Sequence, residues 1–375
     1  MAEINTPSLS PDSSASDSFV LSTKEWLSIK TFVASALMLP TSPALLRASL
    51  PANPTGGIDQ FKDLTDSYQT LQNTCSNFNT YILPNMVKCA SDLVTYNNNL
   101  IPPFYDAIKT ILRSSNPYSS DATKIENLTE LCYFFSSKVE SFVNSTISVL
   151  NAMQKFSTEI APSEYFILQQ YNKYNEQIVS KNGDIQSIQS EFIAVKNDLS
   201  DAEEEYKQDV IVAATTACYA WIWPCGTIAA GIVAGKYGDK STKAKAKMDT
   251  LKGSISDMDT QLAADTTLII DLTRIAGDIK GITDKIYAAL TTIQQILGVW
   301  NVWKVYVENI PSIIESNKQN LYSLIAELRI DETIATWQTV SNEANNYFTN
   351  AYITVSSDMD IVIKAADDLE AIKNK

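Results

Sequence analysis

The segment with the most pronounced chemistry is the one that carries no charge. Residues 210–235 read VIVAATTACYAWIWPCGTIAAGIVAG, about 26 residues without Asp, Glu, Lys or Arg. Burial in an apolar medium is the chemistry such a run performs, and roughly 20 apolar residues span a bilayer as a helix. The run is sharply bracketed. Asp201, Glu203, Glu204, Glu205 and Asp209 precede it, and Lys236, Lys240, Lys243, Lys245 and Lys247 follow. Trp223-Pro224-Cys225-Gly226 sits near its middle, joining the residue that breaks helices to the one that tolerates positive φ. The spacing therefore predicts a hairpin with its tip at 223–226 rather than one spanning helix. Each arm is then about 13 residues, or roughly 20 Å if helical, which passes one leaflet and falls short of a 30 Å core.

In that hairpin the lipid-facing residues are Val210, Ile211, Val212, Cys218, Tyr219, Trp221, Ile222 and Trp223 on one arm and Ile228, Ile232 and Val233 on the other. Pro224, Cys225 and Gly226 form the tip, and Gly231, Gly235 and Gly238 are hinge positions. Lys236 and Lys240 lie where long cationic side chains reach back to headgroup phosphates. Tryptophans at the tip suit a membrane interface. Gly231 and Gly235 have the spacing of close helix pairs, though a run this rich in Ala and Gly produces that spacing by chance as readily. The alternative is that the hairpin is simply the core of a small subdomain. Against it, the charged flanks offer few apolar residues to cover two tryptophans, and an uncovered patch of that size marks an interaction or membrane site.

Enzymatic chemistry finds little support. The chain has no histidine, which removes imidazole bases, Ser-His-Asp triads and imidazole metal ligands. Cys75, Cys89, Cys132, Cys218 and Cys225 form no Cys-x-x-Cys pair, so neither a zinc nor a redox motif is present. Their number is odd, which favours free thiols packed as small hydrophobes, although a Cys218–Cys225 pair across the tip stays open. A net charge of −14 disfavours nucleic acid, whose phosphates demand cationic surface. No cofactor, metal or catalytic residue is assigned.

The elements that would present the hairpin are helices. Only 11 glycines and 13 prolines occur in 375 residues, too few for loop-rich or all-β folds. Ser22 and Glu25 have capping-box spacing ahead of Trp26, Ile29, Val33, Ala36 and Leu37, and Leu39-Pro40 ends that helix. A loop then runs to about Gly57. An unbroken stripe of Phe61, Leu64, Tyr68, Leu71, Cys75, Phe78, Ile82, Met86, Cys89, Leu93, Tyr96 and Leu100 follows. Pro84 predicts a kink within it, and Pro102-Pro103 a stop. Further stripes run from Ile125 to Phe156, from Ile178 to Tyr206 and from Met248 to Ile296. Their alternating 3 and 4 spacing is that of helices that pack along their whole length. Asp331 is a candidate N-cap for a last helical region over about 312–370. The fold class is all-α, an elongated antiparallel bundle. Its domains are a Ser/Pro/Asp-rich, disordered N-terminus over 1–18, a helical tail over 19–206 and 241–375, and the hydrophobic head over 207–240.

Long heptad helices, an uncharged hairpin between two of them and an N-terminal Trp26…Leu39-Pro40 helix without a signal peptide together resemble the α-helical pore-forming toxins. That group includes cytolysin A, the haemolysin BL and non-haemolytic enterotoxin components, and the tripartite haemolysins of Gram-negative bacteria. The resemblance is architectural and covers about residues 20–370. Only Val210 to Gly235 matches residue by residue, and it resembles the membrane-spanning B component. The resemblance implies a secreted, soluble protomer with the head tucked away, exported without a classical signal peptide. It also implies a pore form in which the head refolds into the target-cell membrane and copies assemble with partner subunits. A membrane-anchored or soluble coiled-coil scaffold, its hairpin binding protein, is the competing reading.

Overall fold

The computed structural model describes residues 29–30, 32–33, 36–113, 121–179, 182–205, 246–247, 250–251, 253–316 and 330–351. Among them there is no strand, and the fold is all-α. The helices are α1 (Pro43–Ala48), α2 (Lys62–Asn77), α3 (Leu83–Asn99), α4 (Ile101–Arg113), α5 (Asp121–Gln177), α6 (Gly183–Glu205), α7 (Thr260–Ser316) and α8 (Ile330–Ala351). At 1.5 Å per residue, α5 and α7, each 57 residues, are about 85 Å long. The chain divides into two compact units. The described parts of the first unit are 81–113, 121–154, 287–316 and 330–351, and the remaining described residues form the second.

Several local features depart from the sequence expectations for clear reasons. At Pro84, where a kink is expected, one π-helical turn, Phe78–Ile82, joins α2 to α3. Proline cannot donate to the carbonyl four residues back, here Thr80, and its ring crowds that group, so the helix widens there. The run ends at Leu100, ahead of Pro102-Pro103 as expected, but a new helix starts at once. After a break at Leu100, α4 begins at Ile101 with both prolines in its first turn, where their missing N–H groups are not needed. The loop before Gly57 contains α1, whose Ser42 hydroxyl accepts from Leu45 N–H at 3.2 Å. The stripe from Met248 is not one helix, because Asp259 interrupts it. Its carboxylate accepts from Gln261 and Leu262 N–H at 3.0 Å each, making it the N-cap of α7. Asp331 lies inside the first turn of α8 rather than capping it, and it still faces the positive end of the helix dipole. Ser22, Glu25 and Trp26 lie outside the described residues.

The long stripe is buried from Phe61 to Tyr96, with only Leu100 half-exposed. Cys75, Cys89 and Cys132 are free and buried. Burial pushes their thiols up, Cys89 to about 11 and Cys132 to about 12, so they pack as hydrophobes.

The first unit is built around a layer of aromatic rings drawn from four helices. Tyr96 of α3 lies 5.2 Å from Trp300 of α7, 5.2 Å from Trp337 of α8 and 5.7 Å from Phe142 of α5, centroid to centroid. Phe142 stacks on Trp300 at 4.7 Å and 14°. Trp303 Nε1–H donates to the Tyr96 hydroxyl at 2.7 Å. Such rings contribute large apolar area and favourable offset or edge contacts, and the one strong polar pair fixes their register. Trp303→Phe is expected to cost about 1–3 kcal/mol, because the buried Tyr96 hydroxyl loses its donor. The Tyr96→Phe/Trp303→Phe pair should cost clearly less than the sum of the single changes, as urea unfolding of the four proteins would measure.

Candidate functional site

The helices that lead into and out of residues 206–245 are α6 and, through the short helical stretch around 246–256, α7. Both ends belong to the second unit. They touch: Gln189 Nε2–H of α6 donates to Thr273 Oγ1 of α7 at 2.9 Å. Ile185, Ile188 and Phe192 of α6 are buried, and so is Leu251 ahead of α7. Every head residue named above, from Val210 to Lys240, lies outside the described residues. The site is therefore read from the frame that carries it.

At the centre of that frame is the first half of α7. Between Ala263 and Ala276, only Thr267 and Thr273 escape full burial. A helix buried on every side is the central member of its bundle. This one also carries charge: Asp265, Asp271 and Arg274 are 4%, 1% and 1% exposed. Charges so deep persist only when paired and hydrogen-bonded.

Each of the surrounding elements supplies a partner. Asp265 accepts from Thr55 N–H at 2.7 Å, Thr55 Oγ1–H at 2.6 Å and Tyr174 O–H of α5 at 2.6 Å. Thr55 is presented by a tight loop in which Gly56 and Gly57 have φ of +86° and +84°, a region side chains avoid. Gln60 Nε2 closes the loop onto the Thr55 carbonyl at 2.6 Å. Gln261 Nε2, two residues from the α7 cap, ties the same loop at the Asn53 carbonyl, 2.7 Å. About two helical turns further along α7, Arg274 Nη2 donates to Asp271 Oδ1 at 2.8 Å, and Asp278 lies 3.8 Å from Nη1. Tyr68 O–H of α2 reaches the other Asp271 oxygen at 3.4 Å. Burial pushes the Asp271 carboxyl above its ordinary range, while Arg274 and the Tyr68 hydroxyl pull it down. Burial and the Asp265 carboxylate push the Tyr174 hydroxyl well up, so it stays a donor.

This network was missed in the sequence. Its signal is legible in retrospect: in AADTTLIIDLTRIAGD, residues 263–278, the charges at 271, 274 and 278 recur at helical spacing along an otherwise apolar run. Among the described residues no helix is long and apolar enough to cross a membrane, and no group of His, Cys, Asp and Glu has metal-binding geometry.

No family model matches the chain. It is 19% identical over 373 residues to the pesticidal crystal protein Cry6Ba of Bacillus thuringiensis, covering 90% of this chain and 89% of that one. The structure is similar to the HblL1 toxin component of Bacillus cereus, with a TM-score of 0.53 at 11% identity over 89% of this chain and 95% of that one. It is similar also to soluble SmhA of the tripartite alpha-pore forming toxin Smh from Serratia marcescens, with a TM-score of 0.52 at 12% identity over 89% and 97%. Likeness at this level is one of fold and does not separate one toxin component from another.

Arg274→Met is expected to destabilise the protein by about 3–5 kcal/mol at pH 7, since it leaves buried carboxylates without their guanidinium. The sign with pH follows from Asp271. Its carboxyl is raised in the folded state, and without Arg274 it rises further. The folded variant then binds more protons than the unfolded chain between about pH 4 and that raised value, so it gains stability as pH falls through this window. Urea midpoints should therefore show the deficit of the variant shrinking from pH 7 towards pH 4. This chain has the fold of the α-helical pore-forming toxins.

Proposed function

We propose that the chain is a pore-forming toxin subunit that buries its head, residues 207–240, in a target-cell membrane and assembles there into a lytic pore. The observation that carries this reading is the uncharged run Val210–Gly235, set between two helices of one unit in a fold shared with pore-forming toxin components. The Gln189–Thr273 contact supports it, because it packs α6, which precedes the run, against α7, which follows it. A hairpin head requires that arrangement, and a single spanning helix would send its flanks to opposite sides of the bilayer.

The mechanism is physical rather than catalytic, and the chain is not an enzyme. In water the head is covered. In lipid its apolar side chains leave water at roughly 25 cal/mol per Å², and Lys236 and Lys240 reach headgroup phosphates. Residues 19–206 and 241–375 act as the tail that holds and delivers it. The apolar head resembles the membrane-spanning B component more than an amphipathic one, so partner subunits complete the pore. The protomer acts outside its cell of origin, at the target-cell membrane.

Ile222→Asp and Ile228→Asp should each abolish release of dye from loaded liposomes, assayed alone and with candidate partner subunits. The helical circular-dichroism signal should be essentially unchanged, because neither position belongs to the described helices. A charge in mid-bilayer costs about 2.5–3.5 kcal/mol. Undiminished release by these variants would sink the membrane role. Wild-type flotation on liposomes without release under any condition would favour an anchored scaffold instead.

A further inference from the structure

Left-handed backbone explains why Gly56 and Gly57 are glycines. It does not explain Gly183, the first residue of α6. A β-carbon built on Gly183 meets no atom within 4 Å, so no close approach asks for glycine there either. Alanine would also be the better helix former. What distinguishes the position is the residue before it, because Asn182-Gly183 is the one Asn-Gly pair in the chain.

The surroundings of the Asn182 side chain favour attack on its amide carbon. Its Oδ1 accepts from Asp184 N–H at 3.0 Å and from Ile185 N–H at 3.3 Å. Two backbone donors on one carbonyl oxygen draw electrons from its carbon. They also steady the negative charge that addition places on that oxygen, as in an oxyanion hole. The neighbouring nitrogen is that of Gly183. At the first position of a helix its N–H has no intrahelical acceptor, and no side chain shields it. Gly183 is exposed and Asn182 half-buried, so water and hydroxide reach both.

We infer that Asn182 is a self-modification site, at which the chain converts its own α6 cap into aspartate and isoaspartate. Hydroxide removes the Gly183 amide proton, and the nitrogen bonds to Asn182 Cγ. The Cγ–Nδ2 bond breaks, Nδ2 takes up a proton and ammonia leaves, which closes a five-membered cyclic imide. Water then opens the ring. Cleavage at Cγ restores the ordinary main chain with aspartate, and cleavage at the main-chain carbonyl carbon gives isoaspartate. Ring closure turns the Asn182 carbonyl away from Gln186 N–H, which it now meets at 3.1 Å, so the reaction proceeds through fraying of the first turn of α6.

The two products act differently on the helix. Aspartate keeps an acceptor at the cap and adds negative charge at the positive end of the helix dipole. Isoaspartate lengthens the main chain by one carbon, so the N–H groups of Asp184, Ile185 and Gln186 lose the acceptors they have now. That first turn positions Ile185, Ile188 and Phe192, which are buried. The isoaspartate form therefore loosens α6, the helix that leads into residues 206–245. This inference stands apart from the pore-forming reading and does not depend on it.

The test uses the full-length wild type, Gly183→Ala and Asn182→Asp. Each is held for several days in mildly alkaline and in mildly acidic buffer, then mapped by peptide mass spectrometry with enzymatic detection of isoaspartate. The wild type should accumulate both products at position 182, faster in the alkaline buffer. Gly183→Ala should convert roughly tenfold more slowly, because a side chain restricts the approach of the nitrogen. It should keep the wild-type circular-dichroism signal, since its β-carbon meets nothing. The isoaspartate fraction, separated by ion exchange, should unfold at lower urea than Asn182→Asp. An intact Asn182 after alkaline incubation of the wild type overturns the inference. Equal conversion in the wild type and Gly183→Ala overturns the part assigned to the glycine. An isoaspartate fraction as stable as Asn182→Asp overturns the loosening of α6.

Discussion

The structure of the second unit depends on one constraint: the first half of α7 is apolar around its whole circumference and cannot face water on any side. Covering it requires partners in every direction, and α2, α5, α6 and the Thr55 loop supply them. Once α7 is enclosed, its three buried charges become conditions on the neighbours. Asp265 fixes the loop and α5 relative to α7, and Asp271 with Arg274 fixes α2. An apolar helix core tolerates sliding by a turn, but a buried carboxylate with three donors aimed at it does not. The polar network thus selects one register among several that hydrophobic packing alone would permit.

The first unit solves the same problem differently. Its register is set by large rings meeting around Tyr96, with a single strong hydrogen bond, Trp303 to Tyr96, inside the cluster. The second unit instead keeps charges deep inside.

The helical stripes were legible because helix-forming apolar residues at 3 and 4 spacing have few other uses. The stripe from Phe61 to Tyr96 lies in the core as its spacing demands. Details that depend on backbone accounting were harder to read. Proline at 84 could be relieved by a kink or a wider turn, and prolines at 102 and 103 could end a helix or begin one. Local sequence does not choose between such outcomes; packing does. The buried network was missed for a related reason. Asp265, Asp271 and Arg274 read as solvated charges until α7 is known to be surrounded, and that follows only from the positions of its neighbours. The head residues, Val210 to Lys240, remain readable through their chemistry alone: no charge, two tryptophans, a Pro-Cys-Gly tip and basic residues at one border.

Frame and head make opposite demands. The helical frame is held by buried rings and buried ion pairs that water would weaken. The uncharged run Val210–Gly235 is, in the function proposed above, satisfied by lipid. A chain with both properties is suited to carrying an apolar segment through water and surrendering it to a membrane. Electrical recording across a planar lipid bilayer tests this most directly. With partner subunits present as needed, the account predicts discrete, uniform conductance steps that persist once formed. A silent bilayer, or a graded leak without steps, would contradict it.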